Sequence, residues 1–467
     1  MSDIKFGTDG WRAIIAKEFT VDNVARVTQA TATWLKENFD QPSILIGHDC
    51  RFAGQLFAET AAKVMAYNNV KVYLADGFIS TPMISLGNVK LKTSAGIVIT
   101  ASHNPPSYNG FKLKGAYGGP LLPADISKVE AHLPANNSID LDQISIEELI
   151  EDAKVEIVDL EGMYYNQVKD AFDLDLINSS SAYAYDAMYG AGQNIVKRLL
   201  PNVELLHCDY NPSFFGIAPE PIMKNLHEFS EFMKSNSSLG CGLATDGDAD
   251  RLGMFDEDGN FVDSHHLILL LIHYLCKYKG LKGKVCTAFS TTVKVKKMCE
   301  HYGLPLDVVP IGFKHICEIM INEDVLVGGE ESGGIAIKGH IPERDGVWIG
   351  LTIWEFMSKS GKTIRELIDE IYEIVGTFSF ERSDLHLKQD DKDRIVARCK
   401  NEGYDSFGEF KVQRLDDMDG FKYFLNDDEW FMIRPSGTEP VLRTYAEAAT
   451  KEKALAILKA GYDTLLN

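Results

Sequence analysis

The feature that most constrains the fold is a strand–loop–helix–strand pattern that occurs three times along the chain, at 44–74, 182–206 and 284–309. In each copy an apolar strand leads into a short polar or glycine-containing loop, then into a helix with apolar residues at helical spacing, and then into a second strand. Such a βαβ unit needs its own sheet and its own covering helices. The pattern therefore predicts an α/β fold with three similar α/β domains that contain mixed sheets.

The end of the 467-residue chain follows a different order from about position 376 onward. Strand-like segments at 378–380, 421–424, 430–433 and 442–446 flank helices near 391–401 and 451–466. This order predicts a smaller α+β domain. Because so long a chain does not suit a single hydrophobic core, we expect four domains. Their expected bounds are 1–160, 161–256, 257–374 and 375–467.

The net charge indicates which kind of partner the protein can bind, and the cysteine content indicates its cellular compartment. The formal net charge of −21 repels nucleic acid and anionic membranes, so an anionic ligand needs a local basic pocket. We therefore expect small-molecule partners, no nucleic acid and no membrane. The eight cysteines form no Cys-x-x-Cys pair, which is typical of reduced thiols in the cytoplasm and indicates no zinc. The N-terminus has no signal-peptide pattern, and the most apolar helix candidate, 267–278, is too short for a membrane span.

The segment 97–112 is the first candidate for a functional loop. Its β-branched start predicts a short buried strand, and the prolines and the Asn109-Gly110 pair predict a loop that does not soon re-enter a sheet. Ser102 would then lie at the end of a strand, where open α/β sheets bind ligands, with His103 beside it and Lys112 downstream. Taken alone, the segment favours a polar turn, because no Gly-x-Ser-x-Gly elbow is present.

A second candidate loop carries Asp246, Asp248 and Asp250 after the apolar segment 242–244. Carboxylates at alternate positions of an extended loop project to one side and offer hard oxygen ligands to Mg²⁺ or Ca²⁺. A calcium-binding helix–loop–helix is excluded, because its loop needs glycine where Arg251 stands. A solvated acidic turn is the alternative, but three close negative charges repel one another unless a cation lies among them.

Two further loops offer polar groups after apolar strands. In 328–334, glycines allow close approach of a ligand, and Glu330 and Ser332 can bind the vicinal hydroxyls of a sugar; a flexible turn explains the segment equally well. In 434–440, a guanidinium, two hydroxyls and free backbone N–H groups have the composition of a phosphate cradle, with a plain turn as the alternative. The residues of this cradle are Arg434, Ser436, Gly437 and Thr438.

Two weaker signals are single cations in loops. Arg12 ends the glycine-punctuated segment 6–12, ahead of a helix predicted at 21–38 with Thr20 as its N-cap. Lys314 is expected in a loop after the strand that ends at 309. Neither residue indicates a function when it is considered alone.

Taken together, these motifs resemble those of one family, the α-D-phosphohexomutases, in the family's order and over the whole chain. The resemblance is strongest to phosphoglucomutases and to dual phosphoglucomutase/phosphomannomutases. It implies an enzyme that interconverts hexose 1-phosphate and hexose 6-phosphate through a phosphoserine and a 1,6-bisphosphate. It also implies that the four domains surround a central cleft, with Mg²⁺ as cofactor, hexose 1,6-bisphosphate as activator and sugar phosphates as partners. We expect a monomer or a homodimer.

The resemblance assigns roles to residues in three groups. The catalytic group contains the phosphate-carrying serine, two residues proposed for proton transfer and two arginines that hold the phosphoserine region: Ser102, His103, Lys112, Arg12 and Arg251. The metal ligands are the serine through its phosphate and three carboxylates: Ser102, Asp246, Asp248 and Asp250. The substrate-binding group contacts the sugar and the non-reacting phosphate: Lys314, Glu330, Ser332, Arg434, Ser436, Gly437 and Thr438.

The sugar loop also bears on substrate preference. Glu331 and Gly334 stand where phosphoglucosamine mutases and many phosphomannomutases carry a different residue and a histidine, and 312–314 favours glucose. The sequence therefore ranks glucose phosphate first, mannose phosphate second and glucosamine phosphate third. Two other interpretations stay open at this point. One is a Mg²⁺-dependent sugar-phosphate phosphatase, and the other is a non-catalytic sugar-phosphate sensor.

Overall fold

The structure is a computed structural model that describes residues 4–7, 9–180, 182–435 and 441–466. Four main sheets follow one another along the chain, each covered by helices from its own region. The first three have mixed strand directions, and the last is antiparallel. The predicted fold class is confirmed, whereas the exact domain bounds stay predictions.

The first domain contains a six-stranded sheet. Its strands are β1 (Trp11–Ile14), β2 (Ser43–His48), β3 (Lys71–Phe78), β4 (Ala95–Ile99), β5 (Tyr108–Gly115) and β6 (Val155–Val158). Its helices are α1 (Val21–Asn38), α2 (Gly54–Tyr67), α3 (Thr81–Leu91), α4 (Pro123–Ala131) and α5 (Ile146–Glu151). The strand order is β1-β5-β4-β2-β3-β6. α1 has the predicted bounds, and its N-cap Thr20 accepts a hydrogen bond from the Asn23 amide.

The segment after β4 corrects one prediction. The chain re-enters the sheet at Tyr108, and β5 pairs antiparallel with β4, although the sequence predicts no early return. The Asn-Gly pair is a turn signal, but Gly110 lies inside β5, where an added Cβ would stand 2.4 Å from the Thr100 carbonyl oxygen. This glycine allows close strand packing instead of a turn. Lys112 consequently lies on a buried strand.

The second and third domains repeat the α/β arrangement with smaller sheets. The second has β7 (Ala182–Asp186), β8 (Glu204–Leu206), β9 (Leu239–Thr245), β10 (Leu252–Phe255) and β11 (Phe261–Val262), ordered β11-β10-β9-β7-β8. The helices of this region are α6 (Leu160–Ala171), α7 (Leu174–Ser180), α8 (Gln193–Leu199) and α9 (His227–Ser235). The third has β12 (Lys284–Ala288), β13 (Leu306–Val309), β14 (Val325–Gly329) and β15 (Ile335–Ile337), ordered β13-β12-β14-β15. Its helices are α10 (Ser264–His273), α11 (Lys294–Tyr302), α12 (Phe313–Met320), α13 (Gly346–Ser360) and α14 (Ile364–Val375).

The C-terminal domain has an antiparallel five-stranded sheet and a small hairpin. Its strands are β16 (Ser379–His386), β17 (Ser406–Phe407), β18 (Phe410–Lys411), β19 (Arg414–Asp416), β20 (Phe421–Phe424), β21 (Trp430–Pro435) and β22 (Val441–Ala448), and its helices are α15 (Gln389–Asn401) and α16 (Lys451–Leu466). The main sheet has the order β16-β22-β21-β20-β19.

The hydrophobic cores show how the domains are joined. One continuous core contains residues of the first three domains, such as Val98, Leu243 and Leu270. The C-terminal domain has a separate core, which includes Ile433 and Ile457. A small cluster of Phe289, Phe424, Trp430, Met432 and Tyr445 connects the third domain to the last. Within the described part of the chain, no helix is long and apolar enough to cross a membrane.

Candidate active site

Ser102 lies buried just beyond the end of β4, as predicted. Its backbone has a φ of +51°, a left-handed conformation that is unfavourable for a residue with a side chain and that often occurs at functional sites. Its amide donates to Thr100 Oγ1 at 2.9 Å. The Ser102 hydroxyl donates to Asp246 Oδ2 at 2.7 Å and lies 3.3 Å from His103 Nδ1. The strand end thus aims one hydroxyl at the acidic loop of the second domain.

A buried arginine that the sequence did not indicate holds this loop. The Nη1 atom of Arg51 donates to the carbonyl oxygens of Pro105 and Tyr108, and Nη2 donates to those of Ser102 and Asn104, at 2.6 to 3.0 Å. The guanidinium can satisfy four acceptors because its five N–H donors form a planar fork. Arg51 therefore holds the backbone of the loop from Ser102 to Tyr108.

The acidic loop is a tight turn after β9, which corrects our expectation of an extended loop. Ala249 has a φ of +55°, and the amides of Asp250 and Arg251 both donate to Asp246 Oδ1. Asp246, Asp248 and Asp250 are fully buried, and one carboxylate oxygen from each lies within 4.8 Å of the others. The three carboxylates therefore converge because the turn folds back on its first aspartate, rather than because of strand alternation.

Two cations from outside the turn offset part of its charge. The Lys112 ammonium lies 2.8 Å from Asp248, 3.1 Å from Asp250 and 3.0 Å from Asp9. Arg344 pairs with Asp250 at 2.8 Å and also with Asp9. Burial disfavours the Lys112 ammonium, but Asp248 and Asp250 outweigh this effect and raise the pKa of Lys112 above its ordinary value.

The acidic turn also fits a divalent cation. Burial, and then the neighbouring charges of Asp248 and Asp250, raise the pKa of Asp246 well above its ordinary value. The Oδ1 atoms of Asp248 and Asp250 are buried and accept no hydrogen bond from any residue that the structure describes. Buried carboxylate oxygens without a partner are costly, and a hard cation such as Mg²⁺ prefers such ligands.

The remaining predicted catalytic residues lie around Ser102. Arg12 donates to Asn104 Oδ1 at 2.7 Å, and Arg251 lies 3.9 Å from Asp250. The pKa of His103 lies well below its ordinary value, first because of burial and then because Arg251 and Arg12 are positively charged. The structure thus brings the predicted catalytic and metal-binding residues of two domains together at one place.

The predicted sugar loop lies directly beside the acidic turn. Arg251 forms a backbone bridge with Gly334, and the Leu252 amide donates to the Gly333 carbonyl. Glu330 is buried and accepts a hydrogen bond from the Gly312 amide at 3.0 Å. Burial raises the pKa of Glu330 to about 7, although nearby arginines oppose the shift. Ser332 is half-buried in the same loop.

The last two predicted substrate sites are only partly described. Lys314 lies in the first turn of α12 rather than in a loop, and it lines a cavity of 170 Å³ together with Asp9 and Gly10 of the first domain. Arg434 lies at the end of β21, with its Nε 3.4 Å from Asp419. Ser436, Gly437 and Thr438 lie outside the described residues.

Three charged residues of this site escaped the sequence analysis: Asp9, Arg51 and Arg344. Arg51 follows β2, whose end lies beside that of β4, and this adjacency was the available signal. Asp9 belongs to the segment 6–12, which we noted only for Arg12. Arg344 precedes Asp345, the N-cap of α13, and carries no motif of its own.

Comparison with known proteins agrees with this architecture. Profiles of the phosphoglucomutase/phosphomannomutase family match in order: alpha/beta/alpha domain I at 3–140, domain II at 162–259, domain III at 263–375 and the C-terminal domain at 395–462. A phosphoglucomutase/phosphomannomutase of Thermococcus kodakarensis is 30% identical over 98% of both chains. A phosphoglucosamine mutase of Latilactobacillus sakei is 29% identical over 96% of this chain and 95% of its own. A crystal structure named "putative phosphomannomutase from Thermus Thermophilus" is 30% identical, has a TM-score of 0.87 and covers both chains fully.

All four domains thus match the family in order, and the chain belongs to the phosphoglucomutase/phosphomannomutase family. It is a phosphohexomutase, an isomerase-type enzyme of carbohydrate metabolism. The family is Mg²⁺-dependent, and the buried triad of Asp246, Asp248 and Asp250 is compatible with a metal site. The relatives are mutases, so the phosphatase interpretation is not supported.

Proposed function

We propose that this mutase prefers glucose phosphate, with mannose phosphate second and glucosamine phosphate third, and that Ser102 carries the transferred phosphate. The observation that carries the proposal is the 2.7 Å contact between Ser102 Oγ and Asp246 Oδ2. It joins a buried hydroxyl at a strand end to a cluster of carboxylates that suits a divalent cation.

A phosphorylated Ser102 would be a dianion, which is costly in a buried site unless cations neutralise it. Mg²⁺, when bound, would be held by Asp246, Asp248, Asp250 and the phosphate of Ser102, and it would supply positive charge to the phosphoryl group. Around this position, Arg12 and Arg251 hold the phosphoserine segment. Although the chain as a whole is acidic, it thus places positive charges at the position where the phosphate must bind.

The transfer balances as an exchange of one phosphorus–oxygen bond for another. A free hydroxyl of hexose 1-phosphate attacks the phosphorus, and the bond to Ser102 Oγ breaks and returns its electron pair to Oγ. The hydroxyl proton passes to His103, whose lowered pKa keeps the imidazole neutral, because Lys112 is already an ammonium and can only donate. The product is a hexose 1,6-bisphosphate, which turns end for end and returns its other phosphate to Ser102. Added hexose 1,6-bisphosphate would activate a resting enzyme by phosphorylating Ser102.

Three sets of residues hold the sugar phosphate in this scheme. Glu330 and Ser332 bind the sugar hydroxyls in either orientation, and Lys314 contacts the substrate from α12. The loop of Arg434, Ser436, Gly437 and Thr438 grips the phosphate that is not reacting. Water must be excluded during transfer because it would hydrolyse the phosphoserine.

The relatives include both phosphoglucomutase/phosphomannomutase and phosphoglucosamine mutase, so they do not decide between the sugars. The proposed preference for glucose therefore rests on the sugar loop. An added Cβ at Gly334 would stand 2.5 Å from Arg344 Cδ, so a histidine there would displace the arginine that pairs with Asp250. Glu331 is bound by the Ser290 hydroxyl at 2.7 Å. Glu331 and Gly334, the two residues that differ from those of phosphoglucosamine mutases, therefore both fit the local packing.

The test is turnover on the 1-phosphates of glucose, mannose and glucosamine, with Mg²⁺ and a trace of the matching 1,6-bisphosphate. We expect hexose 6-phosphate as product, the highest kcat/KM for glucose, and loss of turnover in Ser102→Ala. A higher kcat/KM for glucosamine 1-phosphate would overturn the substrate ranking. Full mutase activity in Ser102→Ala would overturn the phosphoserine mechanism.

A further inference from the structure

The segment 289–292, between β12 and α11, supports the sugar loop from behind. Ser290 is fully buried, and its hydroxyl donates to Glu331 Oε2 at 2.7 Å. Glu331 stands between Glu330 and Ser332, which we assign to the sugar hydroxyls. Any shift of Ser290 would therefore pass to the sugar loop through a single hydrogen bond.

The same segment is held from the other side by the C-terminal domain. Lys422, on β20, is 4% exposed, and its ammonium donates to the carbonyl oxygens of Phe289 at 3.1 Å and Thr291 at 3.4 Å. These two carbonyls flank Ser290. The ammonium also lies 3.9 Å from the centre of the Trp430 ring, a favourable cation–π contact.

A second buried group of the C-terminal domain holds the end of the segment. Glu447, on β22, accepts a hydrogen bond from Thr292 Oγ1 at 2.9 Å. Burial lowers the pKa of Lys422 to about 8 and raises that of Glu447 to about 7, and each charge partly offsets the shift of the other. Burying a charged group costs free energy unless specific partners replace water. The hydrogen bonds that the structure describes for the Lys422 ammonium go to two backbone carbonyls of another domain, which favours a positioning role over simple packing.

We propose that Lys422 is a positioning residue that couples the placement of the C-terminal domain to the sugar loop, through the carbonyls of 289 and 291 and the Ser290 hydroxyl. The proposal rests on the proposed function, because it takes Glu330 and Ser332 as the sugar-binding residues. In this arrangement, the sugar loop reaches its binding geometry only while the C-terminal domain is seated on 289–292. Sugar binding and domain placement then depend on each other.

The experiment compares Lys422→Met, Ser290→Ala and the double variant in steady-state kinetics on glucose 1-phosphate. Methionine keeps the length of the side chain and removes its donors. We expect each single variant to raise KM roughly tenfold and to change kcat less than about twofold, because the ground-state grip on the sugar is loosened. Because both residues act through one connection, the double variant should also raise KM roughly tenfold rather than a hundredfold.

The matched control is Lys297→Met. The Lys297 ammonium lies 2.6 Å from Asp428 across the same domain boundary, and among the described contacts its side chain makes none with 289–292. We expect its KM to stay within about twofold of the parent value, since an exposed ion pair contributes little. An equal KM increase in Lys297→Met would show a general effect of the boundary and would overturn the proposal.

Two other results would also overturn the coupling: an unchanged KM in Lys422→Met, or a double variant whose KM increase is the product of the single ones. If Lys422→Met does not fold, Ser290→Ala decides alone, because it removes one hydroxyl, and an unchanged KM there rejects the proposal. The Ser102→Ala variant distinguishes a failure of the coupling proposal from a failure of the proposed function. If it loses turnover while Lys422→Met keeps its KM, the coupling is wrong and the proposed function stands.

Discussion

At the scale of single residues, Arg51 shows how a buried charge organises a catalytic loop. Its guanidinium contacts four carbonyl oxygens between Ser102 and Tyr108, and its Nε lies 3.3 Å from Asp49 Oδ2. These bonds hold Ser102 in its left-handed conformation while its hydroxyl points at Asp246. In the proposed mechanism, the arginine would contribute by fixing the backbone of the loop that carries Ser102.

Arg51→Lys tests this role, because lysine keeps the charge and loses the planar fork of donors. We expect kcat to fall roughly a hundredfold and the free energy of unfolding to fall by about 2–4 kcal/mol, since carbonyls lose their partners in a buried site. Kinetics and thermal unfolding measure both effects. The control is Arg198→Lys, an exposed residue paired with Glu161 at 3.4 Å, which should change neither value. Activity within twofold of the parent in Arg51→Lys would contradict the account.

His265 leads to a prediction about pH. Its Nδ1 accepts a hydrogen bond from the Thr292 amide at 3.1 Å, so the buried ring is neutral. Burial lowers the pKa of His265 from 6.5 to about 4; Asp263 and Glu331 oppose this shift, and His266 and Lys422 add to it. Because the folded pKa is depressed, the stabilisation is present above pH 6.5 and is lost as pH falls towards 4.

We expect the stability of the parent protein to fall by about 2 kcal/mol between pH 7 and pH 5 through this residue alone. His265→Asn provides an amide oxygen as acceptor and does not titrate, so its stability should fall less over the same range. Thermal unfolding of both proteins at pH 7 and pH 5 measures the difference. Equal losses in the two proteins would show that His265 does not contribute.

At the scale of elements, the strand-end turns of two domains pack against each other at a glycine. An added Cβ at Gly247 would stand 2.6 Å from the Ser102 carbonyl oxygen and 3.0 Å from Pro219 Cγ. The first of these atoms belongs to the backbone and cannot move aside as a flexible side chain would. The absence of a side chain at 247 thus sets the distance between Ser102 and the acidic turn.

Gly247→Ala should therefore push the two turns apart. We expect kcat/KM to fall at least roughly a hundredfold, because a misplacement of about 1 Å at reacting groups has an effect of this size. Steady-state kinetics on glucose 1-phosphate gives the result, and thermal unfolding shows whether the variant is folded. A folded Gly247→Ala protein with kcat/KM within threefold of the parent would contradict the packing argument.

The acidic turn predicts a stabilising effect of metal that is independent of turnover. Three buried carboxylates, two of whose oxygens have no hydrogen-bond partner among the described residues, should gain a cation when Mg²⁺ binds. At a Mg²⁺ concentration of about 100 times Kd, the unfolding free energy should rise by about 2.7 kcal/mol. Chelation should reverse the rise in thermal midpoint and abolish turnover, and Asp248→Asn should show a smaller rise. An identical midpoint with Mg²⁺ and with chelator would contradict a metal site at this turn.

Much of the element pattern could be predicted from the sequence. α1 has its predicted bounds, and three of the motif loops follow β4, β9 and β14, because apolar runs and caps are local signals. The fourth motif begins inside β21 at Arg434, and its residues after Pro435 lie outside the described part of the chain. The wrong predictions concern segments whose conformation depends on tertiary contacts. Gly110 lies in β5 because Thr100 packs against it, and the acidic turn curls because amides bind Asp246.

At the scale of the whole molecule, the site exists because three domains share a core. Ser102, Asp246 and Glu330 come from three different sheets, and the continuous core fixes these sheets relative to one another. The C-terminal domain has its own core and meets the third domain through a small aromatic cluster and the Lys422 contacts. The contacts of Asp9 and Arg344 could not be predicted, because they depend on how distant segments pack, whereas Arg51 follows a strand whose end lies beside that of β4.

The central claim is that Ser102 carries the phosphate between substrate and product. Its most direct test is peptide mass spectrometry after incubation with glucose 1,6-bisphosphate and Mg²⁺, before and after addition of glucose 1-phosphate. We expect one phosphoryl group on the peptide that contains Ser102, and we expect the added sugar to remove it and form the 1,6-bisphosphate. Phosphate on a different residue, or a Ser102 phosphate that added sugar does not remove, would contradict the claim.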